Sequence, residues 1–387
     1  MPWQKKEPMD QRMEFALKAL RTDNFRALCS EYGISPKTGY KWRHRLLEQG
    51  LAGLAEESRR PRSHAEQLQE SVVCEIIRLK HAHRYWGPRK LRELYRRRHG
   101  RSPSESSFKR VLERAGLTVP RRRRHTAAQA GRLWSGRRAQ GPNDVWTVDF
   151  KGWWYDGQGT RCEPLSVRDE YSRYLLELRR VADARTATVR QCFEDLFTRH
   201  GLPQAIRSDN GAPFAHVKGV LGLSRLSAWW VALGIDLERG RPAHPQDNGG
   251  HERMHRDIRM ELEPRTGQQD ALDLWRQEFN QERPHDALGL KCPAEVYHNS
   301  TRRYQGSPED LDYPGLMRRK VTRNGEIGWA GTDLFISTSL SGWSVGLKPT
   351  ERDQWEVWFG RLLLGWIDPA TASFQRVDLH SPAAGQS

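Results

Sequence analysis

The chain has 387 residues, 64 Lys+Arg against 48 Asp+Glu for a formal charge of +16, and 36% hydrophobic residues. That length predicts two to four domains. No apolar run approaches the roughly 18 residues needed to span a bilayer, and the start, MPWQKKEPMDQ, lacks the apolar stretch of a secretory signal. Five cysteines, with no CxxC pair, argue against a structural zinc and fit a reduced, cytoplasmic setting with no membrane partner.

The positive charge sits at the front. Residues 1–140 hold 33 Lys+Arg against 14 Asp+Glu, and the remainder 31 against 34. A basic half with helical patterning points to a polyanion, foremost nucleic acid. Residues 9–50 read as three helices: MEFALKALR, then FRALCSEYG ending at Gly33, then SPKTGYKWRHRLLEQG, with Ser35 as N-cap and Pro36 at the first helical position. Two helices joined by a tight turn at Gly33, the second carrying Lys37, Lys41, Arg43 and Arg45, have the layout of a helix-turn-helix. Lys37, Thr38, Lys41, Trp42 and Arg43 are its candidate DNA contacts. An ordinary helical hairpin is the plainer alternative.

After a break at EESRRPRSHAEQ comes a second helical set, LQESVVCEIIRLKHAH, GPRKLRELYRRRHG and SESSFKRVLERAGL. It reads as a second helix-turn-helix, in which Arg89 and Lys90 open a helix that either tracks phosphates or forms a solvated face. Residues 114–143 contain eight arginines and no acid, including Arg121, Arg122, Arg123 and Arg124. This reads as a basic linker making phosphate contacts without sequence information.

From Val145 to about Tyr297 the pattern is α/β. VWTVDF, CEPLSVRDEYS and RYLLELRR predict three strands, and ATVRQCFEDLFTRHG a helix ending at Gly201. QAIRSDNG predicts a fourth strand, LSAWWVALG a buried helix, and Ile235–Glu238 a short strand. HERMHRDIRMEL opens a long helix after a Pro- and Gly-rich loop. Three antiparallel strands followed by a helix and parallel strands is the order of a ribonuclease H-like core. Beyond about residue 310, alternating apolar and polar residues predict a small antiparallel barrel, with Trp329, Trp343, Trp355, Trp358 and Trp366 as core rather than base-stacking platforms.

Three stretches each deliver one carboxylate: Asp149 in TVDF, Asp209 in RSDNG and Glu252 in HPQDNGGHER. Two strand ends and a helix start can bring these acids to one point. Carboxylates that close raise one another's pKa unless a cation neutralises them, and hard oxygen ligands with room for water and phosphate suit Mg²⁺. The chemistry indicated is phosphodiester cleavage or transfer. Glu252, then His255 or Arg256, then Arg259 share one helix face, and an ion-pair ladder from Glu252 to Arg256 is the plain alternative. Asn210 follows Asp209 in a tight turn open to DNA backbone. FNQERPHDALG, with Asn280, Arg283 and His285, reads as structural closure, and His200, His216 and His244 as surface or capping residues.

On these residues the chain closely resembles bacterial insertion-sequence transposases of the DDE class with a retroviral-integrase-type core. The resemblance runs through SPKTGYKW, GLAGLAEESRRP, YWGPRKL, WTVDFKGWW, SDNGAPF, HPQDNGGHERMH, FNQERPHDALG and CPAEVY. It implies that Asp149, Asp209 and Glu252 form the catalytic, metal-binding triad, holding two Mg²⁺ with Mn²⁺ able to substitute, and that Arg259 matches a basic position of the family. It also implies a homo-oligomer on double-stranded DNA, both transposon ends and target, with no small-molecule cofactor. Forty-two residues lie between Asp209 and Glu252, and HVKGVLGLSRLSAWW reads as an insertion.

The expected architecture is therefore multidomain. All-α helix-turn-helix modules occupy 1–58 and 59–118, a basic linker 119–143, an α/β ribonuclease H-like catalytic core 144–300, and a small all-β barrel 310–380. The leading function is a DNA transposase. A catalytically silent, domesticated DNA-binding regulator and a nuclease or resolvase without strand transfer are the rivals.

Overall fold

The computed structural model describes residues 8–56, 68–118, 136–216, 219–240, 249–262 and 268–377. Two compact units result, Met1–Gln69 and Glu70–Ser387. The expected contacts Arg121 to Arg124, and His244 with most of its loop, lie outside the described residues.

The first unit is three helices, α1 (Pro8–Lys18), α2 (Phe25–Glu31) and α3 (Pro36–Gln49). Asn24 caps α2, and Ser35 caps α3 by accepting from the Thr38 amide at 3.2 Å. Between them Gly33 takes φ +63°, a turn geometry that side chains with a Cβ resist. Phe15, Ala16, Ala19, Leu28, Cys29 and Trp42 close the core. Gly39 sits where a Cβ would lie 2.6 Å from Cys29 Sγ, so α3 crosses at glycine distance.

The second unit begins with α4 (Glu70–Ala82), α5 (Pro88–His99) and α6 (Glu105–Arg114). Its central sheet contains β1 (Val145–Phe150), β4 (Pro164–Asp169), β5 (Leu175–Arg180), β6 (Ala205–Ser208) and β7 (Asp236–Arg239), ordered β5-β4-β1-β6-β7. β1 to β4 and β4 to β5 run antiparallel, whereas β6 lies parallel to both β1 and β7. The turn between β1 and β4 is itself a hairpin of β2 (Trp154–Tyr155) and β3 (Arg161–Cys162). One sheet face is apolar: Trp146, Val148, Leu165, Val167 and Ile206 pack on Phe193 and Phe197 of α7 (Thr186–His200) and on Trp229 and Trp230 of α8 (Arg225–Ala232). The other face carries polar side chains at alternate positions, Thr147 and Asp149 on β1, and Ser166 and Arg168 on β4. It meets α9 (Gly249–Glu261) and α10 (Gln269–Gln281).

Two structural ties close this second face. The Asn280 side chain donates to the Leu175 carbonyl and accepts from its amide, at 2.9 and 2.8 Å. Arg283 is fully buried, pairs with Asp257 at 2.8 Å and with Glu261, and lies beside the Trp86, Trp275 and Phe279 rings. Both side chains hold elements together, as FNQERPHDALG suggested.

The remaining strands are β8 (Met317–Lys320), β9 (Glu326–Trp329), β10 (Thr332–Phe335), β11 (Ser344–Pro349), β12 (Trp355–Phe359), β13 (Leu362–Asp368) and β14 (Ser373–Arg376). They form an antiparallel sheet β14-β13-β12-β11-β8 and a separate β9–β10 hairpin. Among the described residues no ladder joins the two into the expected closed barrel. Trp329 is buried, and Trp343 and Trp355 pack against the same core. Val220, Leu223 and Ala228 enter that core too, and Leu223 O accepts from Ser339 Oγ at 2.6 Å. The segment read as an insertion is thus the seat of the C-terminal sheet.

Candidate active site

Asp149 lies near the end of β1, Asp209 just beyond the end of β6, and Glu252 in the first turn of α9. Since β1 and β6 are parallel neighbours, their C-terminal ends point the same way. Asp149 is half-buried, while Asp209 and Glu252 are exposed. Burial, followed by the negative charge of Asp209 and then of Glu252, pushes the Asp149 carboxyl up to about 7, against a backbone hydrogen bond at Phe150. All three acids therefore act on one place. Among the described residues, however, no three His, Cys, Asp or Glu side chains are gathered tightly enough to hold a metal ion.

The donor chemistry fits a hard divalent cation. A carboxyl raised to about 7 by burial and then by two neighbouring acids marks negative charge that such an ion would neutralise. Asp209 is backed by Arg239, which is half-buried and feels its charge, and Gly211 lies under its carboxylate, where a Cβ would come within 3.0 Å of Oδ2. Asn210 donates from Nδ2 to Gly240 O at 3.0 Å and is otherwise exposed.

Helix α9 is docked by two histidines that face inward. Ser166 Oγ donates to Asp149 O at 2.9 Å and has His251 Nε2 at 2.7 Å and His255 Nε2 at 2.8 Å. A hydroxyl has one proton, so both imidazoles donate from Nε2. His251 Nδ1 then faces Thr147 Oγ1 at 2.9 Å, a hydroxyl that also lies 3.3 Å from the Arg168 carbonyl, and His255 Nδ1 turns toward Asp149 Oδ2 at 3.8 Å. Burial keeps both rings neutral; it holds His255 down to about 3, with Lys151 and Arg168 adding to the effect. Beneath them Gly250 packs on the buried Arg168 guanidinium, where a Cβ would collide.

Several expected DNA contacts have other placements. Trp42 is a core residue, buried at the α1–α3 crossing with Arg12 4.4 Å from its ring centroid. His255 faces Ser166 and Asp149 instead of sharing the exposed stripe. Lys90 is largely desolvated beside Arg283, which lowers its pKa. Arg89 pairs with Asp286 at 3.1 Å, Arg97 with Glu295 at 2.8 Å and Arg98 with Glu282 at 3.9 Å. The arginines of α5 thus clamp this helix to the core, a role neither expectation included. Lys37 and Lys41 are exposed, Thr38 and Arg43 half-exposed, and Arg256 and Arg259 exposed on α9. No ion pair joins Glu252 to Arg256 among the described residues, so the ladder alternative is not what forms.

The positioning residues His251, Ser166, Thr147 and Arg168 were absent from the sequence-derived site. Two signals could have found them: the i, i+4 spacing of the histidines, and polar residues at alternate positions of an otherwise apolar strand, PLSVRD.

Comparison with known proteins accords with this geometry. Residues 11–62 match the helix-turn-helix domain family, 38–112 the homeodomain-like domain family, and 139–245 and 233–293 two integrase core domain families. An uncharacterized 31.7 kDa protein of insertion element IS407 from Burkholderia multivorans is 26% identical over 234 residues, 58% of this chain and 80% of that protein. A 39.2 kDa protein of insertion element IS476 from Xanthomonas euvesicatoria is 26% identical over 257 residues, 64% and 71% of the two chains. The helix-turn-helix and integrase core matches, together with these insertion-element relatives, support an insertion-element transposase with an integrase-type core. Among solved structures, a simian T-cell lymphotropic virus intasome in complex with PP2A regulatory subunit B56 gamma aligns at 14% identity, covering 73% of this chain and 96% of that one at a TM-score of 0.36. The two integrase-core matches together span β1, β6 and α9, the elements that carry or lead into the three carboxylates. No helix among its described residues is long and apolar enough to cross a membrane.

Proposed function

We propose that this chain binds the ends of its insertion sequence through the N-terminal helices and the basic 119–143 stretch, then cleaves those ends and joins them to target DNA. The observation that supports the reading is that Asp149, Asp209 and Glu252 stand at the ends of β1 and β6 and at the start of α9, with the Asp149 carboxyl raised by burial and by the charges of Asp209 and Glu252. Asp149, Asp209 and Glu252 would hold the divalent ions, expected to be two Mg²⁺ with Mn²⁺ able to substitute. Bound there, such ions supply a nucleophile at neutral pH and stabilise the charge of the leaving oxygen.

The chain's own residues do the rest. The His251–Ser166–His255 bridge holds α9 against β1 and β4, so that Glu252 projects from a helix whose angle is set by buried hydrogen bonds. Asn210 and Gly211 offer a narrow turn that DNA backbone can approach. Arg256 and Arg259, one and two turns beyond Glu252, are placed to hold phosphates, as are Lys37, Lys41 and Arg43 on α3. A homo-oligomer pairing two DNA ends is part of the proposal.

The test is metal-dependent joining on linear DNA carrying the repeats that flank the gene, comparing wild type with Glu252→Gln. Wild type with Mg²⁺ or Mn²⁺ is expected to cut and join. Glu252→Gln should bind equally well and react at least a hundredfold more slowly, about 2.7 kcal/mol in barrier. Tight binding by wild type without cutting under either metal would instead favour the silent regulator.

A further inference from the structure

The hairpin that follows Asp149 carries an aromatic surface that the carboxylate site does not use. β2 alternates sides, as strands must. Trp154 points inward and joins Cys162, Met254 and Ile258 in the core beneath α9. Trp153 and Tyr155 point outward and are 56% and 62% exposed. Their ring centroids stand 5.4 Å apart at 69°. The Arg161 guanidinium lies 5.3 Å from the Trp153 centroid and pairs with Glu163 at 2.7 Å.

Trp153 is the only tryptophan among the exposed large hydrophobics of the described residues. Together Trp153 and Tyr155 make a contiguous exposed aromatic patch, the kind of surface that marks an interaction site. Its base is also rigid, because Trp154 and Cys162 anchor the hairpin to the helix that bears Glu252, while Lys151 and Gly152 connect it directly to β1. The platform therefore sits on a segment that follows Asp149 in the chain and is anchored under the helix that bears Glu252. A guanidinium against one ring suits an occupant that is both flat and anionic, which a nucleotide is and an apolar peptide is not.

We propose that Trp153, with Tyr155 and Arg161, forms a stacking platform for an unpaired nucleobase next to the phosphodiester that reacts. The inference rests on the DNA-cleaving reading above and adds a subsite to it. Single-stranded bases stack on aromatic side chains with little sequence preference, so the platform would select frayed or opened DNA ends over fully paired ones.

The experiment uses the full chain and a duplex bearing the gene-flanking repeat, ending in three unpaired nucleotides, one of them 2-aminopurine. Wild type is expected to quench the 2-aminopurine on binding. Trp153→Ala should abolish the quenching and bind this DNA about five- to 150-fold more weakly, the range that corresponds to about 1–3 kcal/mol per stacked base. Its affinity for the fully paired duplex should change little, and Trp153→Phe should restore most of the loss. Tyr155→Ala is the second variant, expected to give a smaller loss of the same kind. Undiminished quenching and affinity in Trp153→Ala would overturn the platform while leaving the catalytic reading intact. Equal losses on paired and frayed DNA, unrepaired by Trp153→Phe, would overturn it too, in favour of a structural or protein-docking role. Failure of wild type to bind or cut either DNA would bring down the functional reading itself.

Discussion

At the scale of single residues, the chemistry turns on how Asp149 is surrounded. Its folded-state pKa stands near 7, above the ordinary 3.8, so the folded protein binds this proton more tightly than the unfolded chain does. Without metal, the contribution of Asp149 to stability is then greatest at low pH and is lost progressively as pH rises from about 4 to 7. Asp149→Asn removes that loss, and its melting temperature without metal should exceed that of wild type increasingly up to pH 7 and by a constant margin above. Metal shows the opposite trend. Below pH 7 a proton competes for the same oxygens, so the apparent Mn²⁺ affinity should fall roughly tenfold per pH unit. Thermal shifts induced by Mn²⁺ at pH 6, 7 and 8 check this, and a shift independent of pH would sink it. Ser166 offers a second case. Ser166→Ala leaves two buried imidazole N–H groups without an acceptor, which should cost about 1–3 kcal/mol, read by denaturant unfolding. The carboxylates were legible in the sequence because each stands at the boundary of a local pattern, Asp149 and Asp209 at strand ends and Glu252 at a helix start. The histidine bridge was not, because an i, i+4 pair of histidines looks the same whether it faces water or a strand.

At the scale of elements, α3 and α5 show the same contrast. Cap, proline and turn glycine define α3 within five residues, and the helix forms where they predict. Its rotation about its own axis is set by close packing, which turns Trp42 inward and leaves Lys37 and Lys41 outside. Gly39 is the point of contact, and Gly39→Ala should destabilise the first unit by about 1–3 kcal/mol through overpacking against Cys29 and Phe15. A melt of the isolated residues 1–69 would show it, provided that piece folds. In α5 the arginines were visible, but their partners Asp286, Glu295 and Glu282 lie nearly 200 residues away. Nothing local distinguishes a phosphate-tracking helix from one clamped by distant acids.

At the scale of the whole molecule, Arg283 links three elements of the second unit. It neutralises Asp257 and Glu261 on α9, follows α10, and lies beside Trp86 between α4 and α5. Removing it leaves two half-buried carboxylates without their cation, Glu261 keeping the Trp275 indole N–H, a change that should cost up to about 3–5 kcal/mol, the range for a broken buried pair. Arg283→Ala should therefore lower the stability of the second unit and raise hydrogen exchange in α4, α5 and α9 together. Faster exchange confined to α9 would mean that the helical module is held by its other ion pairs alone. The C-terminal sheet depends on the catalytic core in a similar way, through Val220, Leu223 and Ala228.

By itself the sequence determined everything that depends on near neighbours: strand alternation, helix caps, the turn glycines at 33 and 201, and the three acid-bearing motifs. The tertiary structure alone decided which side each helix turns, which charges are consumed within the chain, and what anchors Glu252. Local rules specify dihedral angles and periodicity over a few residues. Burial and charge pairing depend on partners brought together only when the sheet, α9 and the flanking modules close on one another.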